Sequence, residues 1–190
     1  MSMKGSTKKA IGIVLLILLP IVYLVLGFSG SYRASCLRPD PPRPEITYGE
    51  FPFRIEYEIN GEMVIVEDTI ICEFDGFQPD WGGGDKTRKW KVSFASGKKS
   101  QIYKDRADLL VDEANHIYFA LGDGEYYMGD DHYAGNLPAD YVPSLLAYKA
   151  TKQLFGGWHT INIGAHELLN TYGIKIISYE IAPPIVNSFK

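Results

Sequence analysis

The chain has 190 residues, with 19 Lys and Arg, 23 Asp and Glu, and a formal net charge of −4. This length suits one globular domain with a single core, and two cysteines are too few for a scaffold built on disulfides. From Glu45 onward there are 22 acidic and 13 basic residues, a net charge of −9, which argues against a generic nucleic-acid binder.

The first element is an uncharged apolar run, Ala10 to Phe28, preceded by a lysine-bearing tail. As a helix it would extend roughly 28 Å at 1.5 Å per residue, close to the ~30 Å hydrocarbon core of a bilayer. Pro20 lies within it, and membrane helices tolerate proline. We therefore predict a transmembrane helix over residues 10–28. A cleaved signal peptide is an alternative, because small residues follow at 27–31. A lipoprotein anchored at Cys36 fits less well, because arginine stands where an apolar residue is expected.

The orientation follows from charge. Three lysines crowd the tail, residues 1–9, whereas three arginines are spread through residues 29–44. The tally is nearly even, but the compact basic tail favours a cytoplasmic N-terminus. Residues 29–44 end in closely spaced prolines, which are typical of a stiff spacer. The sequence thus predicts a single-pass plasma-membrane protein with an extracytoplasmic domain over residues 45–190.

That domain is predicted to begin with a β-hairpin. Phe53 to Ile59 alternates apolar and polar residues, and Asn60-Gly61 is a strong signal for a type I′ turn. Pairing across the turn sets Tyr57 beside Val64 and Ile55 beside Val66, with Glu56 and Glu58 on the other face. The return strand, Met63 to Phe74, is apolar at successive positions. It is therefore expected to be covered on both faces and to end at Asp75-Gly76.

Further strands alternate with glycine turns. The glycine-rich segment Gln78 to Asp85 is a loop, since it lacks the lysine and the helix of a phosphate-binding loop. One helix is expected at Ala165 to Tyr172, with Gly173 as its left-handed cap. The fold class is mostly β (α+β): a small antiparallel sandwich or partly open barrel with one late helix. The remaining predicted strands are one bearing Trp90, Val92 and Phe94, its return Ser100 to Lys104, and then Leu109 to Val111, Ile117 to Leu121, Ser144 to Ala150, Trp158 to Ile163 and Ile174 to Ile181.

Eight of the domain's 13 basic residues fall between Lys86 and Arg106. On the strand they alternate with the apolar residues, so their side chains project together. Such a face would suit an anionic surface, such as lipid headgroups or a cell-wall polyanion. The alternative is a solvated face that protects a sheet edge. The candidate ligand-binding residues are Lys89, Lys91, Lys98 and Lys99.

An acidic stretch, DGEYYMGDDH, follows the Ile117 to Leu121 strand. Its hard oxygen donors make it a candidate Ca²⁺ site, although the spacing is not that of an EF-hand. A solvated loop is the alternative, and no cofactor is otherwise expected. The four histidines show no zinc spacing. Candidate metal ligands are Asp123, Glu125, Asp130 and Asp131.

Three segments, ITYGEFPFRIEYEINGE, DTIICEF and HELLNTYGIKIISYE, resemble parts of uncharacterised single-anchored membrane proteins of low-GC Gram-positive bacteria. The resemblance covers Ile46 to Ile181 and implies a bacterial plasma-membrane setting, without an activity or site residues. The expected function is a membrane-anchored binding or interaction module. The alternatives are a hydrolase of envelope material that uses carboxylates in the region from Asp123 to His132, and a structural partner of another membrane protein.

Overall fold

The computed structural model describes residues 4–80, 82–98, 102–130, 145–153 and 156–190, except the side chains of 4–13, 24, 25, 28, 29 and 31. The chain divides into two compact units. One comprises the chain through Pro41 together with Phe77–Arg88, and the other comprises Pro42–Gly76 and Lys89–Lys190. The structure is mostly β, with two four-stranded antiparallel sheets, as predicted.

The first unit contains a 33-residue helix, α1 (Lys4–Cys36). It continues eight residues beyond Phe28, because the first half of the predicted spacer holds no proline to stop it. No helix in the described part of the chain is both long and apolar enough to cross a membrane.

The glycine-rich loop belongs to the same unit and is organised by Asp80. Its carboxylate accepts hydrogen bonds from the backbone N–H groups of Gly82 (3.2 Å) and Gly84 (2.7 Å). The backbone N–H of Asp80 in turn donates to Oγ of the buried Ser35, at 2.7 Å. The predicted loop is therefore a turn closed by one aspartate.

The second unit contains most of the two sheets. The strands and two short helices are β1 (Tyr48–Ile59), β2 (Glu62–Gln78), β3 (Thr87–Phe94), β4 (Arg106–Asp112), β5 (Ile117–Asp123), α2 (Gly124–Tyr127), β6 (Leu146–Lys152), β7 (Trp158–Ile163), α3 (Ala165–Tyr172) and β8 (Ile174–Ile181). The first sheet has the strand order β3-β2-β1-β8, and the second has the order β4-β5-β6-β7.

The β1–β2 hairpin has the predicted register. Tyr57 lies opposite Val64 and Ile55 opposite Val66, and the two turn residues, Asn60 and Gly61, have φ of 52° and 85°. Positive φ at both positions is what a type I′ turn requires.

Two expectations about β2 were wrong. Only one of its faces is covered, since Ile70 is buried whereas Ile65 is 53% exposed. The strand also continues to Gln78 instead of ending at Asp75-Gly76, because Gly76 takes a φ of 90° within it, a conformation that costs glycine little.

The inner faces of the two sheets share one apolar core. Tyr57 of β1 meets Phe119 of β5 edge to face, with ring centroids 5.5 Å apart. This arrangement is a β sandwich, with inward-facing residues alternating along each strand. Cys72 is part of this core, and both cysteines are free thiols.

The predicted late helix is confirmed as α3, with Gly173 in the left-handed conformation (φ 65°) and its N–H bonded to the carbonyls of Leu168 and Leu169. Ser100 to Lys104 was a wrong strand prediction over its described residues. Lys104 accepts one backbone hydrogen bond from Val92 (2.9 Å), but residues 102–105 form no strand. A single backbone hydrogen bond is not enough to pair this segment with β3 as a strand.

Candidate interaction surface

The lysines of β3 project away from the core, as predicted, because Trp90, Val92 and Phe94 are the buried residues of that strand. Each lysine contacts a carboxylate of neighbouring β2. Lys89 pairs with Asp75, and Lys91 pairs with Glu73 at 3.0 Å. The hydrogen bond from Lys89 lowers the pKa of Asp75. These two positive charges are therefore largely balanced within the sheet.

The other two predicted basic residues lie beyond the strand. Lys98 is exposed in the turn after β3, and Lys99 is outside the described residues. Binding of an anionic surface by these four lysines stays a prediction. Such binding would compete with the ion pairs that Lys89 and Lys91 form with Asp75 and Glu73.

The predicted acidic stretch is described only over residues 123–130. Asp123 caps α2, where its carboxylate accepts a hydrogen bond from the N–H of Tyr126 at 2.8 Å. Burial raises the pKa of Asp123. Glu125 lies in the first turn of α2, and Asp131 and His132 are outside the described residues. No cluster of three or more metal-ligating side chains occurs among the residues described.

Asp130 has a structural role that sequence reasoning missed. It is 4% exposed, and its carboxylate accepts a hydrogen bond from Nε1 of buried Trp90 at 2.8 Å. A buried indole N–H needs such an acceptor. The two partners are 40 positions apart in the sequence, so no local pattern signals this contact.

The outer face of the first sheet is open and has an ordered pattern. Antiparallel registry aligns three strands into rows, one residue each from β2, β1 and β8. We call these rows the acidic-apolar face: Glu67, Arg54 and Glu180; Ile65, Glu56 and Ser178; and Met63, Glu58 and Lys175.

Two large apolar side chains of this face are exposed to solvent, Met63 at 57% and Ile65 at 53%. They lie beside Glu58 and Glu56 in the rows just described. Sequence alternation had correctly placed Glu56 and Glu58 away from the core. The sequence pattern did not predict the acidic-apolar face, because it predicts that Ile65 is buried.

The charges of the acidic-apolar face are unevenly paired. Arg54 contacts both Glu56 and Glu67, the latter at 2.8 Å, and these hydrogen bonds raise the pKa of the guanidinium. Ser178 Oγ donates to Glu56 at 3.0 Å. Glu180 has no ion pair with any residue that the structure describes. One arginine is thus shared among several carboxylates.

An open groove of about 650 Å³ lies at the end of the acidic-apolar face, where β1, β2 and β8 run side by side. It contains Arg54 and Glu67 from the ion pair above. It also contains Glu180 and the short side chains of Thr69 and Ala182. The groove is therefore of mixed polarity, acidic on balance, and open to solvent.

The outer face of the second sheet is instead covered over β5 and β6, whereas Thr160 of β7 is exposed. Tyr118 and Tyr148 stack at 5.5 Å between ring centroids and are nearly fully buried. Asp108 is buried beside them, and burial followed by the charge of Asp108 raises the pKa of Tyr148. The partly buried apolar residues packed on this cluster are Ile102, Leu110, Ala120 and Trp158.

Comparison of the chain with protein-family models, curated proteins and solved structures found no significant match.

Proposed function

We propose that this protein is a membrane-anchored interaction module that binds a protein partner through the acidic-apolar face. The tail, residues 1–9, is cytoplasmic. Residues 10–28 of α1 are the anchor in a bacterial plasma membrane, and the β-rich unit is extracytoplasmic. The observation that carries the binding role is the exposure of Met63 and Ile65 next to carboxylates on an open sheet face.

The energetics favour a large partner. Fully burying a side chain such as Ile or Met is worth roughly 1.5–3 kcal/mol, and contiguous exposed apolar patches with a polar rim are typical of interaction sites. The groove beside them is acidic and open to solvent, whereas small-molecule sites are usually enclosed. A flat, charged sheet with apolar centres is better matched to a polypeptide.

The hydrolase alternative gains no specific support. Asp123 and Asp130 accept hydrogen bonds from Tyr126 and Trp90, so each has a structural use. No described observation places them around a reacting group, and we propose no enzymatic activity.

The anchor is proposed from the sequence, which has no charge between Ala10 and Phe28. A test compares the double substitution Leu16→Lys and Leu19→Lys with the control Leu37→Lys. All three side chains are exposed, but Leu37 lies beyond the helix. Each charge at the centre of a membrane helix costs about 2.5–3.5 kcal/mol on insertion scales.

We expect the parent chain and Leu37→Lys to stay in the membrane pellet after an alkaline wash, and the double variant to leave it. A parent chain found in the supernatant would refute the anchor.

The binding role is tested by site-specific photo-crosslinking in intact cells. A photoreactive residue replaces Ile65 or, as a control, exposed Thr160 on β7. A discrete adduct that forms from position 65 and not from 160, and that weakens when Glu56 and Glu58 are changed to Gln, is expected. Equal adducts from both positions, or none from position 65, would contradict the proposal.

A further inference from the structure

The groove has a charge pattern that selects among partners. In its central row, Glu67, Arg54 and Glu180 lie side by side on three strands. Arg54 is held by Glu67 and by Glu56 of the next row. Two carboxylates thus pair with the guanidinium, and a third, Glu180, lies in the neighbouring register position and faces solvent. The local excess is two negative charges.

We infer that this groove receives a lysine or arginine side chain of the partner, and that the partner is a basic polypeptide. This inference rests on the proposed function of the acidic-apolar face. A cation that binds the exposed carboxylates of Glu67 and Glu180 from the solvent side forms charge-assisted hydrogen bonds and leaves Arg54 paired with Glu56. Small neighbours, Thr69 and Ala182, leave room for it.

The spacing predicts the partner's pattern. Glu67 and Ile65 are two positions apart on β2 and share one face, so they are separated by about 6.6–6.8 Å. An extended partner with a basic residue and an apolar residue at positions i and i+2 presents the same spacing. Its cation would meet Glu67 and Glu180 while its apolar side chain covers Ile65.

The same charges disfavour other occupants. A second copy docked through a twofold axis would bring this face against itself, and its glutamates would repel. An anionic lipid surface is repelled for the same reason. Both become outcomes of the test.

The test uses the full chain in a neutral detergent and fluorescein-labelled five-residue peptides with blocked ends. One alternates Lys and Ile, a second alternates Glu and Ile, and a third alternates Lys and Ser. Binding is followed by fluorescence anisotropy at two salt concentrations. The variant Glu67→Gln with Glu180→Gln is compared with the control Glu113→Gln with Glu167→Gln, which neutralises two exposed carboxylates elsewhere.

We expect the Lys–Ile peptide to bind the parent, and to bind at least tenfold more weakly to the Glu67/Glu180 variant. The control variant should bind like the parent. Added salt should weaken binding, because exposed charges are screened beyond about 10 Å at ~0.1 M. The Glu–Ile peptide should bind less than the Lys–Ile peptide.

Unchanged binding in the Glu67/Glu180 variant overturns the inference, as does preference for the Glu–Ile peptide. Dimerisation of the parent in sedimentation, abolished by Ile65→Ser, assigns the face to a second copy and also overturns it. If adducts form from position 65 but the Lys–Ile peptide does not bind, the protein is still an interaction module, but its partner is not a basic polypeptide. If the Lys–Ile peptide binds only when Glu67 and Glu180 are both present, but no adduct forms from position 65, the proposed function is wrong. The groove would still be a binding site for a basic side chain.

Discussion

The outer faces of the two sheets differ although both sheets have four antiparallel strands and share one core. On the second sheet, Tyr118 and Tyr148 stack and are buried. On the first, Met63 and Ile65 stand exposed among glutamates. A sandwich needs only its inner faces to fold. The covered face therefore adds to stability, whereas the open one is available to a partner.

The largest expected effect comes from the covered face. Tyr148→Ala would remove a buried aromatic ring and its stacking on Tyr118. Comparable truncations of large buried aromatic side chains cost about 3–5 kcal/mol. Urea unfolding of the full chain in detergent, followed by tryptophan fluorescence, measures this. The matched variant on the open face, Ile65→Ser, should change the free energy of unfolding by about 0.5 kcal/mol or less. Similar losses in the two variants would erase the distinction between the faces.

A smaller effect is expected on the inner face of the first sheet. Asp130→Leu leaves Nε1 of buried Trp90 without its carboxylate acceptor, and an unsatisfied buried donor costs about 1–3 kcal/mol. Trp90→Phe removes the donor. In a double-mutant cycle the two substitutions should therefore be non-additive, with the second costing less when the first is present. Additive losses would show that the hydrogen bond contributes little.

Strand positions were predictable from sequence where one local rule acted alone. Asn60-Gly61 fixed the hairpin register, and Gly173 marked the end of α3. Ile65 was misjudged, because β-branched residues suit either face of a strand and only the tertiary structure shows which face is covered.

The acidic-apolar face was only partly predictable. Alternation placed Glu56 and Glu58 outside, but the row of Glu67, Arg54 and Glu180 depends on pairing β1 with β8, more than 100 residues away. The Trp90–Asp130 contact is non-local in the same way. The count of basic residues likewise predicted a basic face at Lys89 and Lys91. It could not predict their ion pairs with Asp75 and Glu73, because the sequence does not show which carboxylates lie on the neighbouring strand.

Two aspartates should respond to pH in opposite directions. The pKa of Asp123, at the end of β5, is raised by burial, so folding is favoured by its neutral form. That stabilisation is lost as pH rises from the pKa of Asp123 in the unfolded chain through its higher pKa in the folded protein. Asp123→Asn keeps a capping oxygen for Tyr126 and removes the buried charge. It should slightly raise the urea midpoint at pH 7 relative to the parent, with the difference vanishing near pH 3.

Asp75, on the outer face of the first sheet, provides the contrast. Its pKa is lowered by Lys89, so its stabilisation is present above the unfolded pKa and is lost as pH falls through the folded one. Asp75→Asn should therefore slightly lower the midpoint at pH 7. A shift of the same sign in both variants would contradict these assignments.

The smallest effect is expected for the ion pair between Lys91 and Glu73, whose side chains are 59% and 45% exposed. Exposed pairs of this kind contribute about 0–1 kcal/mol, because water screens the charges and two long side chains must be held in place. A double-mutant cycle with Lys91→Gln and Glu73→Gln should give a coupling within that range at low salt and close to zero at ~1 M salt, where the Debye length is about 3 Å. A larger coupling that persists in salt would mean that water is excluded from this pair. The outer face of the first sheet would then be covered at β3, and the contrast with the tyrosine-covered sheet would hold only for β1, β8 and the part of β2 near the hairpin.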